Sequence, residues 1–343
     1  MTEVGCHPRR DFLASRPEPG AAAVWRACEG DRFVNAARTR IRHGPLDVDG
    51  HEVELSNTDR VLFPETRLTK GDVIGYYLRV APVLLPHVRD RPVSMQRYPA
   101  GIESEGFFQK NAPDYFPDWI ERARLAKQAG EVDYVLANHP ATLAYLANQG
   151  TLTLHVGLSR ADRIDCPDRL VFDLDPPGSD FARVKAAARH VRGLLEALRL
   201  VPFLQTTGSR GLHVWVPLEP SADFERVREV ARSIAELLAR RHPNRLTVEQ
   251  RKKARGDRVY LDVMRNAYGQ TAVAPYTVRA RPGAPVATPL DWSELDDAGL
   301  TPDRYTISNI FRRLGRKNDP WQEIDRHAVL IDMAASRLRE IGG

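Results

Sequence analysis

Cysteine is scarce in this 343-residue chain: its three copies, Cys6, Cys28 and Cys166, lie far apart and form no CxxC pair. That spacing excludes a zinc ribbon and argues against a disulfide framework. Long hydrophobic runs are missing too. No stretch approaches the roughly 18 apolar residues of a membrane span, and the opening MTEVGCHPRRDFLASRPEPG has no apolar signal core. A cytoplasmic protein with no membrane partner is expected. Neither sign of charge dominates, with 50 Lys and Arg against 45 Asp and Glu. The resulting net charge of +5 suits a polyanionic partner better than a cationic one. Gly and Pro are scattered, which excludes a fibrous or low-complexity chain. The length allows one large or two modest domains with a proper core.

Residues 1–44 are rich in Arg and Ala around RPEPGAAA. They read as a basic, partly flexible extension with one helix near 21–42. Residues 45–300 read as the main domain, in two packed modules of about 45–165 and 166–300, and 301–343 as C-terminal helices, at 305–316 and 321–341, packed on it. In the first module LDVDGHEVEL alternates around Asp49-Gly50, a dipeptide suited to a type I′ hairpin. Thr69 to Asp72 forms a capping box, and Val73, Ile74, Tyr77, Leu78 and Ala81 continue as a helix face. RPVSMQRYP reads as a strand, EGFFQKNAPDYFPDWI as a less regular aromatic stretch, and 139–148 as a helix ended by Gly150. TLTLHVGL alternates, leaving His155 off the apolar face.

The second half is cleaner. RLVFDLD is a strand, Asp180 can cap the helix that follows, and 201–206 and 212–218 are strands around a turn at 208–211. An amphipathic helix covers 222–241. The basic QRKKARGDR then leads into a strand at 259–264. The order β-α-β-β-α-β predicts an α+β fold with a ferredoxin-like catalytic module, as in RNA-recognition modules and polymerase palms. Its first and third strands should be central, with the fourth beside the first.

On the first of these strands Asp173 and Asp175 share a face, while Phe172 and Leu174 point into the helix-covered core. On the fourth, Asp262 is out of phase with Val259, Leu261 and Val263, so it joins the two acids. A lone DxD arises readily by chance. The phase-matched Asp262 on a neighbouring strand is what makes a candidate centre of it. Carboxylates so close repel one another, and Mg²⁺ or Mn²⁺ relieves the repulsion with hard oxygen ligands. Two such ions can clamp an in-line phosphoryl displacement.

The stretch TTGSRGLH is the second signal. Two glycines flank Ser209 and Arg210 in a tight turn whose N–H groups can nest phosphate oxygens. His213 follows on the central third strand, within reach of the acids. His155 is either a triphosphate or ribose contact or a plain surface histidine. Arg279 and Arg281, on one face of YTVRARPG, are either phosphate ligands or a solvated pair.

VFDLDPP, TTGSRGLHVWVPL and LDVMRNAYGQTAVAPYTVRARPG together resemble the three motif regions of bacterial ligase-D-type primase-polymerases, in the archaeo-eukaryotic primase superfamily. The resemblance runs over residues 52–295. It implies the primase-polymerase fold, with the catalytic module packed on an N-terminal α/β module. It also implies template-directed synthesis on gapped or broken double-stranded DNA, a preference for ribonucleotides among NTP and dNTP substrates, and two Mn²⁺ or Mg²⁺ ions on Asp173, Asp175 and Asp262. Ser209, Arg210, His213, His155 and Arg279 are the implied nucleotide contacts. Asn57, Arg60 and Lys70 match positions that hold a downstream 5′-phosphate, Phe107 and Phe108 match a pair that packs on DNA, and Arg97, Lys110 and Arg255 match DNA-side basic positions. Gln96 stands where many relatives carry Lys. No ligase or phosphoesterase domain accompanies the resemblance, so a stand-alone, monomeric, nucleoid-associated enzyme is expected. Its partners would be a separate ligase and, in one version, an end-binding protein. The pathway is then either end joining or gap filling in excision repair. Two other readings stay open from the residues: a non-catalytic DNA-end or RNA-binding module, and a metal-dependent nuclease or phosphatase.

Overall fold

The computed structural model describes residues 41–127 and 130–342. The helix expected near 21–42 lies outside the described residues but for its last two positions. Strands β1 (Gly44–Val48) and β2 (His51–Leu55) form the expected hairpin, and Asp49 and Gly50 both take positive φ, 52° and 83°, as a type I′ turn needs. A short pair, β3 (Val61–Phe63) and β4 (Leu68–Thr69), leads into helix α1 (Lys70–Val88). Thr69 and Asp72 cap that helix reciprocally, so its first N–H groups are satisfied before it packs.

The first sheet follows from the alternation at RPVSMQRYP and TLTLHVGL. It contains β5 (Pro92–Arg97), β6 (Phe107–Gln109), β7 (Arg122–Lys127), β8 (Gly130–Leu136) and β9 (Thr151–Gly157), with helix α2 (Pro140–Asn148) before β9. β5 is central: β9 covers one edge, while β8 and then β6 share the other. Val93, Met95, Leu154 and Val156 face the core under α1 and α2.

The second sheet has strand order β13-β14-β10-β12-β11-β16. Its strands are β10 (Arg169–Asp175), β11 (Phe203–Thr206), β12 (Leu212–Pro217), β13 (Leu246–Thr247), β14 (Val259–Asp262) and β16 (Thr288–Leu290). Helices α3 (Phe181–Ala197) and α4 (Phe224–Arg241) cross between them. β10 and β12 are central and β14 lies beside β10, as the β-α-β-β-α-β order predicts. Leu170, Phe172, Leu174, Val259 and Leu261 face the helices. The other face starts apolar, with Val171 and Trp215 packed against Leu158, Ala272, Trp321 and Ile324. One step further along the strands it turns polar.

Two features join the sheets. Strand β15 (Thr271–Val273) leaves the end of β14 and pairs with β9, placing Val273 opposite His155. A buried bidentate pair, Arg91 to Asp168 at 2.6 and 2.7 Å, ties the start of β5 to the start of β10. Burial opposes the Asp168 charge, but Arg91, Arg169 and Arg160 hold its carboxyl well below the usual range.

The C-terminal segment departs from expectation. In place of long helices at 305–316 and 321–341 there are a short α5 (Ile310–Leu314), a 3₁₀ turn (Ile324–His327) and α6 (Ile331–Gly342). The apolar spacing serves three sites in succession: the first core, the space between the sheets, and the helices of the second sheet. Val329 is extended and bridges Leu218, which breaks the helix. Cys166 is buried, and the other two cysteines, Cys6 and Cys28, lie outside the described residues. No helix among the described residues is long and apolar enough to cross a membrane.

Candidate active site

The acidic strands meet in register. Asp173 lies directly across from Asp262, and Asp175 across from Tyr260, on the face turned away from the helices. β14 stops at Asp262, two residues short of expectation. Beyond it the buried Asn266 side chain bonds Val171 N–H at 2.9 Å and Val171 C=O at 2.7 Å, taking over the edge of β10. This turn fixes Asp262, whose Oδ1 accepts from Met264 N–H at 2.8 Å.

The three carboxyls differ electrostatically. Burial and the charges of Asp173 and Asp262 push Asp175 up. Burial pushes Asp262 up as well, and Asp173 adds to it although the Met264 amide opposes. Asp173 goes the other way. Burial would raise it, but His213, Arg265 and Arg279 together hold it low. His213 is its register partner on β12, with Nε2 3.4 Å from Oδ1. An all-oxygen donor set with two carboxyls strained by burial and repulsion fits hard divalent cations, which would take Asp173, Asp175 and Asp262 as ligands. Among the described residues, no three His, Cys, Asp or Glu side chains already form a cage around one point.

A cleft of about 190 Å³ opens between the sheets beside these acids. Asp173, Asp175, Ser209, Arg210 and His213 line it from the second sheet, His155 from β9, and Arg265, Thr271 and Arg279 from the linking segments. The turn between β11 and β12 is built for close approach. A Cβ on Gly211 would sit 2.3 Å from the Leu174 carbonyl, and Gly208 has φ of 64° with Arg279 packed against it. Thr207 Oγ1 accepts from the Ser209 and Gly211 amides at 3.3 Å, and Arg281 donates to Ser209 Oγ at 3.1 Å. Arg279 donates to Thr207 C=O at 3.1 Å; burial lowers its pKa to about 10, so it stays charged at neutral pH. His155 is pushed down to about 3 by burial, with Arg279, Arg265 and His213 adding to it, and stands as a neutral imidazole whose Nε2 is buried without a partner.

Acids on two neighbouring strands, a glycine turn and converging arginines leave more than one phosphoryl-transfer chemistry open, and comparison with known proteins decides the family. A family model described as "LigD, primase-polymerase domain" matches residues 69–321. The chain belongs to the LigD primase-polymerase family. It is 35% identical over 295 residues to the multifunctional non-homologous end joining protein LigD of Mycolicibacterium smegmatis, covering 85% of this chain and 38% of that protein. The bifunctional LigD of Bacillus subtilis is 32% identical over 278 residues, covering 80% and 44%. The chain thus spans less than half the length of these relatives. Among solved structures, the polymerase domain of Mycobacterium tuberculosis Ligase D in complex with DNA matches with a TM-score of 0.76 and 34% identity, over 80% of this chain and 99% of that one. The α+β architecture is the primase-polymerase fold.

Within this LigD-type fold the other sequence-predicted residues gather at two further places. Asn57, with φ of 49°, opens a loop in which its carbonyl accepts from Arg60 N–H at 3.1 Å, above the start of α1. Arg60 is exposed and donates to Pro99 C=O at 2.9 Å. Lys70 is buried, with Nζ 2.7 Å from Asn148 C=O and 3.4 Å from Ser56 Oγ, and burial and Arg60 bring its pKa down to about 8. Phe107 and Phe108 are exposed, at 47% and 59%, instead of forming core. Phe108 stands edge-on to His155 at 5.1 Å, which joins it to the cleft.

Arg97 is turned inward. It is buried and donates to Gln149 C=O at 2.9 Å, Gln109 Oε1 at 2.6 Å and Tyr115 Oη at 3.3 Å, which leaves little of it for a phosphate. Lys110 is exposed and reaches Gly269 C=O at 3.2 Å. Arg255 lies flat on Tyr260 at 3.8 Å and donates to the Glu249 and Gln250 carbonyls. The sequence reading missed Arg265, whose Nε is 4.0 Å from Asp173 Oδ2, and Tyr260, whose hydroxyl is 3.5 Å from Asp262 Oδ1. Arg265 sits on a 3₁₀ turn where no strand or helix period applies. Its place three residues after Asp262 was the only available signal.

Proposed function

We propose that this chain is a metal-dependent DNA primase-polymerase that fills short gaps or broken ends, prefers ribonucleotides and recognises a downstream 5′-phosphate. The observation that carries the reading is the pairing of Asp173 with Asp262 in register, beside Asp175 and His213, in a cleft that also gathers Arg210, Arg265 and Arg279. Bound Mg²⁺ or Mn²⁺ would supply activation of a primer 3′-hydroxyl and neutralisation of the leaving pyrophosphate. The chain's own groups supply the rest. Arg265 and Arg279 set a positive wall against the triphosphate with His213 beside them, and the Ser209 hydroxyl and Arg210 guanidinium on the glycine turn offer it donors. His155 and Phe108 border the side where base and sugar would lie. Asn57, Arg60 and Lys70, at the start of α1, make an anion corner that suits the 5′-phosphate. Arg255 would leave Tyr260 to take part.

Family membership supports polymerase chemistry over a nuclease or a non-catalytic module, and the intact acidic set agrees with it. The domain reading of an N-terminal module and a catalytic module acting as one unit belongs to this proposal. So do monomeric state, a separate ligase, a cytoplasmic, nucleoid-associated location, and end joining or excision-repair gap filling as the pathway. The test is extension of a labelled primer across a short gap with Mn²⁺ or Mg²⁺ and NTPs or dNTPs, with and without the 5′-phosphate. Extension by the wild type that the Asp173→Ala/Asp175→Ala protein lacks is the expected result. No extension by the wild type under any of these conditions would sink the polymerase reading.

A further inference from the structure

Tyr115 is the most exposed of the large apolar side chains among the described residues, at 63%. It is not loosely placed. Its ring meets the buried Phe116 edge-on at 5.3 Å, and its hydroxyl accepts from the buried Arg97 at 3.3 Å. The Arg97 guanidinium also lies 5.5 Å from the Phe107 ring centroid and holds Gln109 and the Gln149 carbonyl. One buried cation thus braces two exposed rings from different segments. A ring held out into solvent by a buried arginine, touching the core only at Phe116, leaves a face available to a partner.

The position of this brace suggests the partner. On one side Phe108 touches His155 in the cleft. On the other, Gln149, which Arg97 grips, follows Asn148, whose carbonyl takes the Lys70 ammonium. Phe108, Phe107 and Tyr115 therefore lie between the acidic cleft and the Arg60–Lys70 corner, with the exposed Lys110 close by in sequence. Between a primer end in the cleft and a 5′-phosphate at the corner, a gapped duplex has only the unpaired bases of its template strand. Flat faces interleaved with a cation suit such bases, because every base has a face to stack whatever its sequence.

We propose that Tyr115 is a third stacking residue, which with Phe107 and Phe108 receives unpaired template bases of a gap. This rests on the placement of primer end and 5′-phosphate under Proposed function, but its test needs neither metal nor nucleotide. Full-length wild type, Tyr115→Phe, Tyr115→Leu and Tyr115→Ala are titrated by fluorescence anisotropy against gapped duplex and against intact blunt duplex. The gapped strand carries 2-aminopurine among its unpaired bases, to report stacking by quenching. Tyr115→Ala and Tyr115→Leu should each weaken gapped-DNA binding about tenfold and lose part of the quenching, with blunt duplex unchanged. Tyr115→Phe should stay within about threefold, because it keeps the ring.

Equal binding and quenching by wild type and Tyr115→Ala would overturn the proposal, as would equal losses on gapped and blunt DNA. A loss in Tyr115→Phe as large as in Tyr115→Ala would also overturn it, since the hydroxyl and not the ring would then be responsible. If wild type extends no primer but these binding differences appear, the polymerase reading fails and the stacking platform stands. The reverse pattern separates the two the other way.

Discussion

The two sheets divide the work by charge. The second sheet presents three acids held side by side, with raised carboxyls on Asp175 and Asp262, a face that is unfavourable alone and suits cations. The first sheet and its loops present a neutral His155, exposed aromatic rings and the basic corner of Arg60 and Lys70. One wall can therefore carry chemistry and the other can hold a nucleic acid. Substitutions on the two walls should separate rate from affinity.

The largest effect expected is that of Asp173→Ala/Asp175→Ala. Losing cation-borne stabilisation of several kcal/mol should lower primer extension by about a thousandfold or more. Gapped-DNA binding without metal should stay within about threefold, and a matching loss of affinity would break the division between the walls. Next, Arg91→Met strips the buried Asp168 of its bidentate partner at the junction of the sheets. It should cost about 3 kcal/mol of stability, read as a lower denaturation midpoint with unchanged slope. Lys70→Met should reduce the preference for a 5′-phosphate about tenfold and leave extension on unphosphorylated gaps intact. Because burial and Arg60 lower the Lys70 pKa to about 8, its ammonium is present below that pH and lost as pH rises through it. The phosphate preference should therefore fall between about pH 7 and 9 in wild type and stay flat in the variant, as competition between the two gaps would reveal. The smallest effect is assigned to Tyr260→Phe. Its contact with Asp262 is long, at 3.5 Å, and extension should change no more than about twofold.

The catalytic half was legible because period-2 alternation decides which way each strand residue points. Once Phe172 and Leu174 were inside, Asp173 and Asp175 had to be outside, and Asp262 followed from Val259 and Leu261. The β-α-β-β-α-β order then put those strands side by side. Residues off the regular elements were not legible in this way. Arg265 gains its place from a turn pinned by Asn266, and Arg97 from the Gln149 carbonyl 52 residues away and from Gln109 and Tyr115, 12 and 18 residues away. Arg97, expected on the DNA side, spends its donors on Gln149, Gln109 and Tyr115. The C-terminal segment failed for another reason. Amphipathic spacing reports that residues are buried, not that they are buried in one place, and these residues visit three cores.

Strand β15 has a mechanical consequence. The chain leaves the acidic strand and within a few residues is laced into the opposite sheet by Thr271, Ala272 and Val273. The two jaws of the cleft are thus sewn together at their back, beside the buried Arg91–Asp168 clasp. Clamshell opening would have to tear this seam. Amide exchange should find Ala272 and Ala274 as well protected as β10, and the 251–258 segment open on a far shorter timescale.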